Sequence, residues 1–322
     1  MKAIYLFPRS SFVTELRSDT LWGLIAVAIG YVFSEKYLID FIEKYLNGGP
    51  PFLISSAMPF EINKDTHEKV HYFPKPLFKS FKNNFSSEES KENIENRKKL
   101  KKCRYIPQSL FEELISGERQ ETDIPKEWLD NPFKLNDSLN LHNTIDPMTG
   151  STLELEEGGQ LYYTREFFLD RQHQGLFFLA DGKDLSLLDP ALRFLTHFGF
   201  GGDNSTGKGS FHFDIQDFTL QVPENPDYFV TLSLYNPELE ELSFFKEDRD
   251  KLFYELTLRR GIIGSQFKKL GYEKKPYFAF SEGSTFPFVQ EKNYLGRLLQ
   301  TMEVPKAYSY AFAFPIPARF KE

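Results

Sequence analysis

Cysteine is almost absent: Cys103 is the only one in 322 residues. No internal disulfide can form, and a reducing, cytoplasmic location is expected. Long apolar runs are missing too. The longest, TLWGLIAVAIGYVF over residues 20–33, is short for a membrane span, which needs about 20 apolar residues. Gly23, Ala26 and Ala28 within it instead allow close packing of a buried helix. The opening MKAIYLFPRSSF carries charge and proline where a secretory signal would run its apolar segment. No membrane partner is therefore expected. A basic surplus is also lacking: the formal net charge is −7, which argues against binding nucleic acid by charge alone. The acidic excess lies in the first 221 residues and is interrupted by one basic cluster, RKKLKKCR (97–104). That cluster reads as the solvated tail of an insertion rather than a specific RNA site, although a locally basic groove can exist on an acidic chain.

Aromatic residues are plentiful, with 34 phenylalanines, enough for large cores with rings left over for stacking. The most distinctive stretch is GFGGDNSTGKGSF (199–211), which looks built to hold a phosphate. Gly202, four residues and Gly207-Lys208 match a nucleotide-binding P-loop, but Gly209 stands where the magnesium-binding hydroxyl is required. The flanks are also reversed. A P-loop follows a buried strand and opens a helix. Here LLDPALRFLTHF, with apolar residues at helical spacing and Asp189-Pro190 as a start signal, precedes the loop. SFHFDIQDFTL, alternating like a half-buried strand, follows it. The order helix–loop–strand speaks against an NTPase.

Along the chain, KAIYLF is a strand. Ser18 or Asp19 is expected to cap the apolar helix, and Ser34 a second one, EKYLIDFIEKYL, which the NGGPP breaker ends. FLISSAMPF reads as a strand. Residues from about 61 to 135 turn polar and charged, and are read as a partly disordered insertion. Two strand-like arms around Asn140–Ile145 and Leu161–Leu169 flank a polar tip, as in a projecting hairpin (about 140–170). VPENPD marks a boundary between residues 1–221 and 222–322. Beyond it YFVTLSLYNP, FYELTLRRGII, PYFAFSEGSTFPF and AYSYAFAFPIPARF are strand candidates, so both halves fit α+β architecture.

HEKVH (67–71) matches the H-E-x-x-H pattern of zinc hydrolases, which works when a helix places both histidines on one face. Pro74 and Pro76 allow at most about two helical turns there, and the glutamates of the charged run supply no fixed third ligand. No metal site and no cofactor are expected. His142 and His173, with Tyr162, Tyr163 and Arg165 nearby, are the nearest approach to an acid–base set for RNA cleavage. A histidine beside a β-arm is more often structural. No nucleophile elbow, cysteine–histidine pair or dinucleotide fingerprint is present. Single-stranded RNA binding gathers more of these features. It uses backbone amides and lysine on phosphates, together with apolar or aromatic side chains that stack or wedge between bases. The glycines also serve equally well as a tight turn from helix into strand.

Taken in order, several stretches resemble the Csm subunit four family of the RAMP superfamily, from type III-A CRISPR effector complexes. They are SDTLWGLIAVAI, GPPFLISSAMPF, YFPKPL, HNTIDPMTG…EGGQLYYTREFFL, GFGGDNSTGKGSF, LRRGIIGS, SEGSTF and YSYAFAFPIP. The resemblance implies two ferredoxin-like (RRM-like) domains with a β-hairpin thumb. It implies a non-catalytic RNA-binding subunit that caps the 5′ handle of the guide RNA. That subunit bridges the large polymerase-like Cas subunit to a backbone subunit in antiviral defence. Carried over by motif, Ser18 and Thr20 start the helix near the handle. Asn143, Thr144, Ile145 and Asp146 form the thumb base. Gly199, Gly201, Gly202, Asn204, Ser205, Thr206, Gly207, Lys208, Gly209 and Ser210 line the RNA groove. Two positions depart from the family pattern: Pro147 stands where arginine is common, and Ser309-Tyr310-Ala311 where arginine–tyrosine–glycine is usual. A guide-processing endoribonuclease is the alternative, and a zinc hydrolase a more distant one.

Overall fold

The computed structural model describes residues 1–78, 98–100, 102–120, 124–125, 127–128, 133, 135–146, 148–152, 154–155, 158–159, 161–261, 273–290 and 292–320. The chain opens with β1 (Lys2–Pro8), α1 (Ser18–Val32), α2 (Glu35–Leu46), β2 (Phe52–Ile54), β3 (Met58–Ile62) and β4 (Lys69–Pro74). Next, β5 (Tyr105–Pro107) runs directly into α3 (Gln108–Ile115). An arm follows, made of β6 (Asn136–Asn143), β7 (Glu154–Leu155), β8 (Gly158–Gly159) and β9 (Leu161–Phe168). The chain returns to the body through β10 (Gln174–Gly182), α4 (Leu188–Phe198) and β11 (Phe211–Asp217). The remainder holds β12 (Tyr228–Thr231), α5 (Leu239–Glu247), β13 (Leu256–Arg259) and β14 (Tyr277–Phe280). It ends with β15 (Thr285–Pro287), β16 (Gly296–Met302), β17 (Ala307–Phe312) and β18 (Pro315–Ala318).

The architecture is α+β with antiparallel sheets. Seven strands form one sheet in the order β11-β1-β10-β3-β4-β5, with β2 also pairing β10. Strand periodicity of two divides its residues between two cores. Ile4, Leu6, Phe178 and Ala180 face α1, α2 and α4, where Trp22, Ile25, Phe41, Tyr45, Leu192 and Leu195 meet them. Ala3, Tyr5, Phe60, Phe177 and Leu179 face the other way, onto Leu110, Phe111 and Leu114 of α3 and onto Val230, Leu232, Phe314 and Ile316. A third cluster, around Phe229, Tyr235, Phe245 and Phe286, lies within the C-terminal part. Residues from both sides of position 222 thus share the two larger cores. Because α1 packs on α2, α4 and β17, it is apolar nearly all round, as a helix enclosed by neighbours must be.

Several expectations need correction. Neither Ser18 nor Asp19 caps α1: Arg17 is the cap residue and makes no side-chain cap bond. The reason is that both side chains are engaged by the C-terminal part, Ser18 Oγ by the Leu234 N–H at 3.0 Å and Asp19 by Arg259 at 2.9 Å. Ser34 does cap α2, accepting from the Tyr37 N–H. The FLISSAMPF strand is broken into β2 and β3. Between them the Ser55 N–H donates to Leu179 O and the Ser56 N–H to Leu232 O, each at 2.9 Å. Within the expected insertion, β4, β5 and α3 belong to the main sheet and its core. Their short apolar islands, Tyr72-Phe73 and Leu110-Phe111, are hidden in sequence by charged runs on both sides. The polar run at 79–97 and Pro147 lie outside the described residues. Among the described residues no helix is long and apolar enough to cross a membrane.

Candidate nucleic-acid interface

The segment leaving β1, residues 9–17, organises the site. The glycine-rich loop is stitched to it by backbone bonds. Arg9 N–H donates to Ser210 O at 2.7 Å, and Gly209 N–H to Ser11 O at 2.8 Å. Ser210 N–H donates to Ser10 Oγ and Gly202 N–H to Thr14 Oγ1, both at 3.0 Å. The loop therefore has a defined shape. Gly199, Gly201, Gly207 and Gly209 all have φ between 68° and 87°, and Asn204–Thr206 form one 3-10 turn with Ser205 at its centre. A side chain is impossible at Gly209, where a Cβ would fall 2.0 Å from Phe200 O. Gly202 differs, because a Cβ there would meet nothing nearer than 3.7 Å. Its lack of a side chain is not demanded by the fold.

The polar side chains of the loop are largely turned inward. Thr206 Oγ1 donates to Asp203 O at 2.7 Å and Asn204 Nδ2 to Phe198 O at 3.4 Å. Lys208 donates to the carboxylate of Glu166 on β9, and Ser11 Oγ donates to the same carboxylate at 2.8 Å. The loop, the β1 exit and the arm thus converge on one buried acid.

The arm pairs β6 with β9, Leu141 opposite Tyr163 and Asn136 opposite Phe168. It is rooted where Phe12 and Phe167 form a two-residue bridge. Asn143, Thr144, Ile145 and Asp146 are therefore not at its base. They lie at the far end of the ladder, roughly 20 Å along at about 3.3 Å per residue. There Asp146 accepts the Met148 N–H at 2.8 Å. One face of the arm carries exposed apolar side chains, Leu139 (67 %), Leu141 (52 %), Leu161 (59 %) and Tyr163 (70 %). Ser18 is fully buried, which removes it from any ligand surface, while Thr20 lies beside Arg259 at 3.5 Å. The expected RNA-binding residues thus fall in three separate places.

Sequence reasoning missed an adjacent cavity of about 210 Å³ between the arm root, the β1 exit and the C-terminal part. Its walls include Phe12, Tyr105 and Phe167, and its rim Arg17, Arg104 and Arg165. Each arginine is paired: Arg104 with Glu15 at 3.1 Å, Arg165 with Asp137 at 2.7 Å, and Arg17 with Glu282. Burial opposes the charge on Glu282, but hydrogen bonds from Arg17 and Ser56 outweigh it and hold the carboxyl below its usual range. Burial likewise raises the Tyr105 phenol to about 12. An aromatic-walled recess of this kind offers contact area to a flat ring, while its rim arginines are already neutralised by carboxylates. The only sequence signal for it was the basic cluster ending at Arg104.

The histidines have separate surroundings. His67, with φ 58°, lies in the turn before β4 and His71 within the strand, so HEKVH is not helical. His71 Nε2 meets Tyr5 OH at 2.8 Å. Burial, reinforced by Lys69, lowers its pKa to about 4. His142 stacks on Tyr162, and His173 pairs with Asp170 at 3.0 Å.

Known proteins align with this layout. Residues 224–318 match the CRISPR Csm4 C-terminal domain family. The CRISPR system Cms protein Csm4 of Thermococcus onnurineus (strain NA1) is 27% identical over 236 residues, 72% of this chain and 73% of that protein. Its namesake in Streptococcus thermophilus is 24% identical over 243 residues, 73% of this chain and 70% of that one. In fold, the chain resembles one from a Csm3-Csm4 subcomplex of the type III-A CRISPR-Cas interference complex. That likeness has a TM-score of 0.65 at 17% identity, covering 99% and 100% of the two chains. It also resembles one from a Csm1-Csm4 cassette in complex with cA4, with a TM-score of 0.62 at 21% identity, covering 100% and 98%. The chain is therefore an α+β protein whose likeness is to proteins of CRISPR systems. Within that class, residues 224–318 match the Csm4 C-terminal domain, and over most of its length the chain is similar to Csm4 proteins.

Proposed function

We propose that the chain is the subunit of a type III-A CRISPR interference complex that caps the 5′ handle of the guide RNA. In that place it bridges the large polymerase-like subunit to the first backbone subunit and does not itself cut RNA. The observation that carries the reading is the convergence at Glu166: a shaped glycine loop, the root of a projecting arm and an arginine-rimmed cavity adjoin one another. The glycines let a phosphate approach the loop backbone closely, and the aromatic-walled cavity suits a base. The relatives supply the partners, since the solved structures pair Csm4 with Csm1 or with Csm3.

The same reading treats residues 1–221 as a ferredoxin-like, RRM-like RAMP domain. The connectivity β1-α1-β2/β3-β10-α4-β11 with central order β11-β1-β10-β2 is that of a βαββαβ unit. Residues 222–322 form its C-terminal counterpart, and the β6–β9 arm is the thumb. The exposed apolar face of the arm suits insertion between bases. No cofactor or metal enters this function.

Coexpression with the large subunit, backbone subunits and guide RNA tests it. The handle nucleotides should be protected from chemical probing, and omission of this chain should expose them and release the large subunit. Protection that persists without the chain would overturn the proposal. An RNase activity that copurifies with the isolated chain and disappears in His142→Ala or His173→Ala would establish the endoribonuclease instead.

A further inference from the structure

On the face of the large sheet away from α1, α2 and α4, Phe7 of β1 stands opposite His212 of β11. Their rings stack face to face, centroids 4.7 Å apart and 8° from parallel. Phe7 is half-buried and meets the Phe60 ring edge-on at 5.4 Å, whereas His212 is exposed. The imidazole is thus supported by an aromatic stack from within while remaining open to solvent. The fold does not require this arrangement, because the apolar residues of β11 (Phe211, Phe213 and Ile215) serve the opposite face. Burial and the nearby Arg9 both lower the pKa of His212, which keeps the ring neutral and suited to stacking at neutral pH.

Arg9 is exposed and has no carboxylate partner among the described residues. Arg17, Arg104, Arg165 and Arg259 are all paired. Its N–H is bonded to Ser210 O at 2.7 Å, and His212 follows Ser210 by two residues. The stack therefore begins where the glycine-rich loop ends, and the two surfaces are continuous. Asp214, next on the same face of β11, repels phosphate and so limits a nucleic-acid path in that direction.

We propose that Phe7 and His212 form a stacking platform for one nucleobase of the guide RNA, with Arg9 on an adjoining phosphate, which rests on the RNA-binding role proposed above. The platform extends the RNA path from the glycine loop onto the exposed β11 edge of that sheet face. Stacking of this kind tolerates any base, since every base offers a π-face.

The test is assembly of the full chain with its complex on guide RNAs carrying 4-thiouridine at one handle position at a time, followed by irradiation and peptide mapping. One position should crosslink to the peptide containing His212. His212→Ala should weaken guide binding on the order of tenfold, whereas His212→Tyr retains it. Arg9→Ala should reduce the salt slope of binding by about one phosphate contact. Both side chains are exposed, so thermal stability should not change. Wild-type affinity in His212→Ala, with no crosslink there while guide is still held, overturns the platform and leaves the RNA-binding role standing. Loss of a protein subunit from His212→Ala with guide retained also overturns it, in favour of a protein-docking face. Failure of the wild-type complex to hold guide through this chain overturns the RNA-binding role and the platform together.

Discussion

Lys208 gives its ammonium to the Glu166 carboxylate and so joins the glycine-rich loop to the root of the arm. The expected phosphate-binding lysine is already neutralised by an acid that is 3 % exposed. Among the described residues, removing Lys208 leaves Glu166 with only Ser11 as a side-chain donor, an uncompensated buried charge. Lys208→Ala should therefore destabilise the protein by about 3 kcal/mol. Adding Glu166→Gln should recover most of that loss. Chemical denaturation of the two variants checks this, and a Lys208→Ala protein as stable as wild type would mean the pair contributes nothing. Guide affinity is then best compared in the double variant, where a loss reports on the phosphate contact rather than on unfolding.

The glycines of the loop separate by purpose. Gly209→Ala forces a Cβ onto Phe200 O at a φ of 68°, so it should distort the loop and lower the melting temperature by several degrees, since about 1–3 kcal/mol is at stake. Gly202→Val places its Cβ without a clash in the isolated fold, the nearest contacts of that atom being Thr14 and Val13 at 3.7 Å. It should melt like wild type and yet retain less guide RNA in the assembled complex, because the side chain blocks close backbone approach. Full guide retention in Gly202→Val would make the loop a turn and nothing more.

Elements with a long, uninterrupted period were legible in the sequence: β1, α1, α2, α4, β11 and the two sides of the arm. The glycine loop was legible as a shape, but its bonds to residues 9–14 were not. Short apolar islands between charges concealed β4, β5 and α3, and β16 went unread. The arginine-rimmed cavity was invisible for a different reason: Arg17 and Glu282 are 265 residues apart, and Glu15 and Arg104 are 89 apart. No local pattern encodes such a meeting. Ser309 and Ala311 depart from the family pattern, but the Tyr310 between them keeps it, fully buried and accepting the Ile54 N–H at 3.1 Å, a packing role that motif comparison does not reveal.

His71 makes stability depend on pH in a defined window. Burial lowers its pKa from 6.5 to about 4, so the folded state keeps the ring neutral when the unfolded chain already binds a proton. Its contribution is fully present above about pH 6.5 and is lost as pH falls towards 4. Urea midpoints should therefore decline from pH 7.5 to pH 5. In His71→Gln that decline should be shallower, with the difference between the proteins confined to this interval. Parallel profiles for the two proteins would show that His71 titrates normally.

Arg17 and Glu282 make the sharpest test of how the two parts of the chain are held together. Their side chains are 13% and 9% exposed. Ser56 also donates to Glu282, and Arg17 Nη1 reaches Thr257 Oγ1 at 3.2 Å. Taking away the guanidinium leaves a buried carboxylate with one hydroxyl donor, so Arg17→Ala should cost about 3–5 kcal/mol. Arg17→Met combined with Glu282→Gln removes both charges and should recover much of the loss. A surface pair gives the contrast: Lys275 and Glu303, 3.0 Å apart but 70% and 75% exposed, should show little loss of stability on Lys275→Ala. Raising sodium chloride to about 0.5 M should erase the surface contribution and leave the buried one nearly intact, because screening acts on solvated charges. Equal, salt-sensitive losses at both sites would mean that Arg17 and Glu282 meet in water rather than in the wall of the cavity.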